Sequence, residues 1–359
     1  MKRNRPTQAD VARLAGVSQT TVSMVLNQRD GGSILISEDT AERVHAAMRT
    51  LGYAPDPVAQ MLAQGRNRLL AIFNYDPAAS YLRDGSYHKI LVGVENGADQ
   101  QDYNILLLTR NRTDEKRSIF QGGVNTLRLA DGAIIMGLYP DHDELRRLTE
   151  EGYPFVCIGQ RDVPGIALNW VISDYYAAGQ QGAQHLLDLG HRRMGYICEQ
   201  AYVGTQSSQA RWNGCQDRLR LVPNSELSLI DQAEVASPER LHARLRDEQI
   251  SALICNDAAN FSQAMQTLAQ LPVRVPNDVS ILVLGDTLGD FATSMNVTYV
   301  RLNQELVGET AVKMLMSRIE ASAGAEVQQS LIPCEFVVGD TTALFSGAVP
   351  TGGNRPAHL

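Results

Sequence analysis

In residues 7–27, TQADVARLAGVSQTTVSMVLN, one apolar spacing occurs twice. Val11, Leu14 and Ala15 stand at i, i+3 and i+4, and Val22, Val25 and Leu26 repeat that spacing eleven residues later. The pattern predicts two short amphipathic helices, each with a single inner face. Between them Gly16 can end the first helix in the left-handed conformation that a Cβ disfavours, and Ser18 can cap the second. Such a pair on a tight glycine turn reads as a helix-turn-helix. Met24 is the oddity: on the second helix it lies opposite the inner stripe, at the middle of the outer face.

A third helix is expected over residues 37–51, SEDTAERVHAAMRTL, with Ser37 as N-cap, Glu38 and Asp39 in its first turn and Gly52 past its end. The intervening QRDGGSILI reads as a loop. Any three-helix domain fits this pattern, and what favours DNA is the tight glycine turn between two short helices near a basic terminus. The chain of 359 residues carries −8 overall, yet residues 1–66 hold eight Lys and Arg against six Asp and Glu, leaving 24 against 34 for the rest. A basic end on an acidic body is the asymmetry of a nucleic-acid module joined to something else.

YAPDP, residues 53–57, cannot continue a helix and marks a boundary. Beyond it PVAQMLAQ, with Asp56 as N-cap and Pro57 at the first helical position, can form a helix of about two turns before Gly65, too short to hold alone in water. From Leu69 the pattern changes to apolar runs alternating with amphipathic segments: LLAIFNY, NILLLT, GAIIMGL, PFVCIG, MGYIC, ISALICN and VSILVLGD. This is α/β patterning with parallel sheets covered on both faces, long enough for two lobes, and GIALNWVISD is expected to mark the passage between them. The tail SGAVPTGGNRPAHL has no periodicity and is expected to be disordered.

Several functions find no support. No window approaches the ~20 apolar residues of a membrane span, and no signal segment precedes the helices, so a cytoplasmic protein is expected. No G-x-G-x-x-G follows an expected strand, and Walker, H-E-x-x-H and G-x-S-x-G motifs are absent, so no enzyme template and no cofactor is called for. The five cysteines are scattered, four in apolar runs, and read as buried inert thiols. His191, in LLDLGHRRMGYI, is expected to serve structure as a cation at a helix C-terminus. A transport solute-binding protein would need a secretory signal where the helix-turn-helix stands.

TQADVARLAGVSQTTVSMVLN, TLGYAPDPVAQMLAQG, LLDLGHRRMGYI, the Arg211-x-x-Gly214 pair, ICNDAA and VPNDVSILVLGD resemble, in order and spacing, the LacI/GalR family of bacterial transcriptional regulators. The resemblance spans residue 7 to about 340. It implies an all-α helix-turn-helix headpiece with a hinge helix, then a two-lobed α/β periplasmic-binding-protein-like body with parallel sheets. The implied division is 1–54 for the DNA-binding domain, 55–66 for the hinge, 67–345 for the effector-binding and dimerisation body, and 346–359 for the tail. Within the body the N-lobe is expected at about 67–172 plus 302–330, the C-lobe at about 173–301 plus 331–345.

The resemblance also implies partners and residues: a dimer on palindromic double-stranded operator DNA, released or held by a small sugar-like effector. Ser18, Gln19 and Thr20 would reach base edges in the major groove, and Thr21, Ser23 and Asn27 would contact phosphate or position the helix, with Thr7 and Tyr53 completing the set. Leu62 would wedge into the minor groove. Arg211 and Asp257, with Ser207 and Asp286 behind them, would bind the effector. Two departures stand out: Met24 replaces an arginine common in the family, and the loop NQRDGGSILIS looks longer. No leucine heptads follow the body, so a dimer rather than a tetramer is expected.

Overall fold

The computed structural model describes residues 6–27, 36–54, 67–76, 86–109, 117–200, 203–286, 295–321 and 326–347. It divides into two units, Met1–Arg68 and Leu69–Leu359.

The first unit holds α1 (Gln8–Ala15), α2 (Gln19–Asn27) and α3 (Glu38–Leu51). Local chemistry sets each boundary. Thr7 and Asp10 form a capping box: the Asp10 N–H donates to Thr7 Oγ1 at 3.3 Å, and the Thr7 N–H donates to the Asp10 carboxylate at 3.0 Å. Gly16 closes α1 at φ 66° and Gly52 closes α3 at φ 63°, both left-handed. Ser18 Oγ accepts from the Thr21 N–H at 3.0 Å and Ser37 Oγ from the Thr40 N–H at 3.4 Å, so both expected caps are formed.

Val11, Ala12, Ala15, Val22, Val25, Val44 and Ala47 make the core of this unit. Leu14, expected on the inner stripe, is instead 53 % exposed. The reason is geometric. With α2 and α3 both against α1, the buried arc runs from Val11 through Ala15 to Ala12, about 100° of the wheel, and Leu14 falls about 60° outside it. The hinge segment 55–66, Leu62 included, and most of the loop after α2 lie outside the described residues, as does all but Ser346 and Gly347 of the tail.

The second unit contains two six-stranded sheets. In chain order its strands are β1 (Leu69–Asn74), β2 (Asn104–Leu108), the small hairpin β3 (Phe120–Gln121) and β4 (Val124–Asn125), β5 (Gly132–Met136), β6 (Phe155–Ile158), β7 (Trp170–Ser173), β8 (Arg193–Cys198), β9 (Glu226–Asp231), β10 (Ala252–Cys255), β11 (Ser280–Val283), β12 (Tyr299–Arg301), β13 (Gln329–Ile332) and β14 (Glu335–Val337). The helices among them are α4 (Ser86–Asp99), α5 (His142–Glu150), α6 (Tyr175–Asp188), α7 (Gln206–Arg220), α8 (Gln232–Val235), α9 (Pro238–Asp247), α10 (Ala258–Leu268) and α11 (Gln304–Glu320).

One sheet runs β13-β7-β6-β5-β1-β2, parallel throughout; the other runs β14-β12-β11-β10-β8-β9, parallel except for the antiparallel edge strand β14. The apolar runs of β5, β6, β10 and β11 are buried at every residue, as parallel strands covered on both faces require. Four of the five cysteines are buried and Cys334 is partly so. Among the described residues no helix is long and apolar enough to cross a membrane.

The chain passes between the sheets three times, after β7, after β12 and after β13. These crossings are tied together. Ser173 Oγ donates to the Leu302 carbonyl at 2.5 Å, Asn303 Nδ2 donates to the Pro333 carbonyl at 2.8 Å, and the Asp174 N–H donates to the Ile332 carbonyl at 2.9 Å. The break expected near residue 330 falls inside β13, because pairing of Gln329 to Ile332 with β7 keeps the chain on the first sheet to the end of that strand.

Candidate functional site

On α2 the inner face is closed: Val22 is fully buried and Val25 nearly so, with Leu26 half-buried. Its opposite edge is open. Ser18, Gln19 and Thr20 are exposed at the start of the helix, Thr21 and Ser23 are half-buried, and Met24 is 38 % exposed on the outer face. Asn27 is the last residue of the helix. The Ser18 hydroxyl is already engaged, bonded to Thr21 Oγ1 at 2.8 Å as well as to its N–H. Thr7 is likewise a cap, its hydroxyl donating to the Asp10 carboxylate at 2.7 Å. Tyr53 leans on the core of the unit, its N–H donating to the Met48 carbonyl at 3.0 Å.

In the second unit the other candidates gather at the carboxyl ends of β8, β10 and β11, where open parallel sheets bind ligands. Arg211 on α7 is 6 % exposed; its Nε donates to the Leu284 carbonyl at 2.9 Å and its guanidinium lies 4.1 Å from the Tyr175 ring centroid. A hydrogen bond and an aromatic face therefore fix the charge in place. Asp257 caps α10, accepting from the Asn260 N–H at 2.9 Å, and accepts from Asn256 Nδ2 at 3.1 Å. Asn256 in turn accepts from the Tyr196 hydroxyl at 2.8 Å. Burial holds the Tyr196 phenol well above its ordinary value, so it stays a donor, and pushes the nearby Cys198 thiol up to about 11.

Asp286, three residues beyond the end of β11, accepts from the Leu302 N–H at 3.3 Å and pairs with Lys89 Nζ at 3.0 Å. Ser207 stands apart from this chain of bonds, half-buried in the first turn of α7, where it is the neighbouring Ser208 that is buried. Lys89, Tyr175, Tyr196 and Asn256 were not foreseen. The ICND run was a signal for Asn256; for Lys89, on α4 of the other sheet, the linear sequence offered none.

His191, expected as a helix-terminal cation, is 3 % exposed, with Nδ1 2.9 Å from Ser251 Oγ and Nε2 3.0 Å from the Ala343 carbonyl. Burial holds its pKa below the ordinary value, so the ring is neutral rather than cationic, and its role is to clasp the last described segment of the chain. Among the described residues no cluster of His, Cys, Asp and Glu could hold a metal ion.

Comparison with known proteins agrees with this arrangement. Residues 7–56 match the bacterial regulatory proteins of the lacI family, and residues 183–342 match the periplasmic binding protein-like domain. The HTH-type transcriptional regulator CelR of Thermobifida fusca is 28 % identical over 89 % of this chain and 93 % of its own. Two solved structures are similar throughout. A transcriptional regulator CelR-cellobiose complex has 25 % identity and a TM-score of 0.62, covering 94 % of this chain and 100 % of the other. A lac repressor dimer bound to operator and the anti-inducer ONPF shares the fold, with 23 % identity and a TM-score of 0.74 over 95 % of this chain and 100 % of that one. The curated relatives are transcriptional regulators rather than enzymes. The chain thus joins a lacI-family DNA-binding region to a periplasmic binding protein-like domain, and the curated proteins it resembles along most of its length are HTH-type transcriptional regulators.

Proposed function

We propose that this protein is a dimeric repressor that binds a palindromic operator and is switched by a small sugar-like effector. The observation that carries the reading is the two-faced α2: a helix whose apolar side is buried against α1 and α3 while Ser18, Gln19, Thr20 and Met24 stand outward. A recognition helix needs that division, because base edges in the major groove are read by side chains the core does not consume. In this reading Gln19 and Thr20 read bases, Ser18 and Thr7 serve first as caps, Thr21, Ser23, Asn27 and Tyr53 position the headpiece, and Leu62 wedges the minor groove.

The effector reading rests on Arg211, Asp257 and Asp286 converging at strand ends, and on the cellobiose held by the similar CelR complex. Hydroxyl pairs suit a fixed guanidinium and partly bonded carboxylates. The effector alters lobe closure, and closure alters ordering of the hinge that steadies the headpieces on DNA. Selection from randomised duplexes tests the DNA half: a two-fold symmetric site is expected, bound with an affinity that falls steeply with salt. Binding with no sequence preference at moderate salt would sink it. A thermal-shift screen with cellobiose and related sugars tests the other half by mass action.

A further inference from the structure

Lys89 and Asp286 are 197 positions apart in sequence, yet their charged atoms meet at 3.0 Å. Lys89 rides on α4, whose Ile90 and Val94 belong to the core of the first sheet, and Asp286 follows β11 of the second. The pair therefore joins the two lobes. It also touches the crossings. The other oxygen of Asp286 accepts from the Leu302 N–H at 3.3 Å, and the Leu302 carbonyl accepts from Ser173 at 2.5 Å, so one carboxylate is bonded to the opposite lobe and to the strand exit about which the lobes must turn.

We infer that Lys89 is a specificity-determining residue of the effector cleft, and that its ion pair with Asp286 is the interlobe latch an effector must part. The inference rests on the effector reading above. The Asp286 side chain is 9 % exposed and that of Lys89 is 34 % exposed, so the two partners carry unequal costs when separated. A lysine ammonium can swing to water. The nearly buried carboxylate cannot, and without the ammonium its charge is answered only by the Leu302 N–H at 3.3 Å. A ligand that inserts here must give Asp286 a donor and give Lys89 an acceptor. Hydroxyls of a neutral polyol do both, whereas a phosphate or carboxylate satisfies Lys89 alone and sets a second negative charge against Asp286. The effector class is thereby narrowed to neutral saccharides over their phosphorylated or acidic derivatives.

The latch is tested without any effector by pulsed electron-electron distance measurement on the full chain. Spin labels on unnatural ketone-bearing residues replace exposed Asn96 and Asn213, one on each lobe, which spares the native cysteines. Lys89→Met and Asp286→Asn should each broaden or shift the interlobe distance, the double variant should add nothing further, and the exchanged pair Lys89→Asp with Asp286→Lys should bring the distribution back toward wild type. Wild-type distributions in both single variants would overturn the latch. For the ligand class, cellobiose, glucose and ribose are compared with glucose 6-phosphate and ribose 5-phosphate by thermal shift. Stabilisation by a neutral sugar, with at least tenfold weaker binding in Asp286→Asn, is expected. Stabilisation confined to the phosphates overturns the class, and a response to none of them overturns the sugar-effector reading while the distances still decide the latch.

Discussion

Gly179 on α6 and Arg211 on α7 meet backbone to backbone: a Cβ on Gly179 would overlap the Arg211 carbonyl oxygen and lie 3.0 Å from the Cys215 nitrogen. Gly214 makes the reciprocal approach to the Tyr176 carbonyl. The α6–α7 spacing, and with it the placing of the Arg211 guanidinium on Tyr175 and Leu284, depends on these glycines. Gly179→Ala should force the helices apart and lower the unfolding free energy by about 1–3 kcal/mol, read from urea denaturation. It should also weaken effector binding, although Gly179 is itself a packing residue. Wild-type stability would mean that the helices separate without strain.

The same device occurs in the other lobe, where a Cβ on Gly93 of α4 would overlap the Glu305 carbonyl of α11. Gly93→Ala should destabilise by a similar amount, about 1–3 kcal/mol. Because Gly93 lies one turn from Lys89, it should also shift the interlobe distances. A control at Gly97, where the nearest contact is the Val312 side chain at 3.0 Å, should cost less, since a side chain yields more readily than backbone.

Ser18 and Ser37 separate capping from recognition. Each hydroxyl caps a headpiece helix, so Ser18→Ala and Ser37→Ala should each cost about 1 kcal/mol of headpiece stability. Only Ser18 stands at the start of α2. Its loss should lower operator affinity by more than the Ser37 variant does, measured by fluorescence anisotropy on the selected site. Equal affinities would make Ser18 a cap and nothing more.

Met24 offers a flexible thioether where an arginine would offer a guanine-binding fork. On DNA it can pack on a thymine methyl or a sugar. Met24→Arg should therefore change the preferred base at one position of each half-site in a repeated selection. An unchanged site would show that this outward side chain reads nothing.

Buried His191 makes stability depend on pH. Its pKa in the folded protein is below the ordinary 6.5, first because burial disfavours the charged ring, so the unfolded chain takes up the proton first as pH falls. Full stability is expected above 6.5, declining as pH drops below it toward the folded value. Urea midpoints measured across that range should fall, and His191→Gln, which keeps a polar group for Ser251 or Ala343, should flatten the slope. An equal slope in both proteins would assign the acid sensitivity elsewhere. His185 is shifted in the same direction by its own burial and bonds Thr342, so it contributes to the wild-type trend.

What could be read from the sequence followed the range of the interactions. Caps, glycine terminators and buried strand runs are decided within a few residues, and Gly16, Ser18, Ser37 and Gly52 all stand where local chemistry put them. Short edge strands were harder. ELSLID and QSLI carry exposed or half-buried residues, so β9 and β13 lack the apolar run that marks a central strand. Leu14 was misplaced because periodicity defines a stripe but not the arc that two neighbours will cover. Lys89 was invisible, since its meaning comes from a residue on the other lobe.

The three tied crossings have a genetic consequence. Because the chain leaves and re-enters each sheet, β13 comes home to the first sheet only after the whole of β8 to β12 has been laid down. Neither lobe is written in one uninterrupted stretch of code. A deletion or a single recombination event within residues 69–345 cannot hand one lobe to another protein, and the two must be inherited together. The helical unit ending at Arg68 is contiguous. One cut in that neighbourhood can graft a different helical end onto an intact two-sheet body, so on the proposed reading operator preference and effector preference are free to evolve apart.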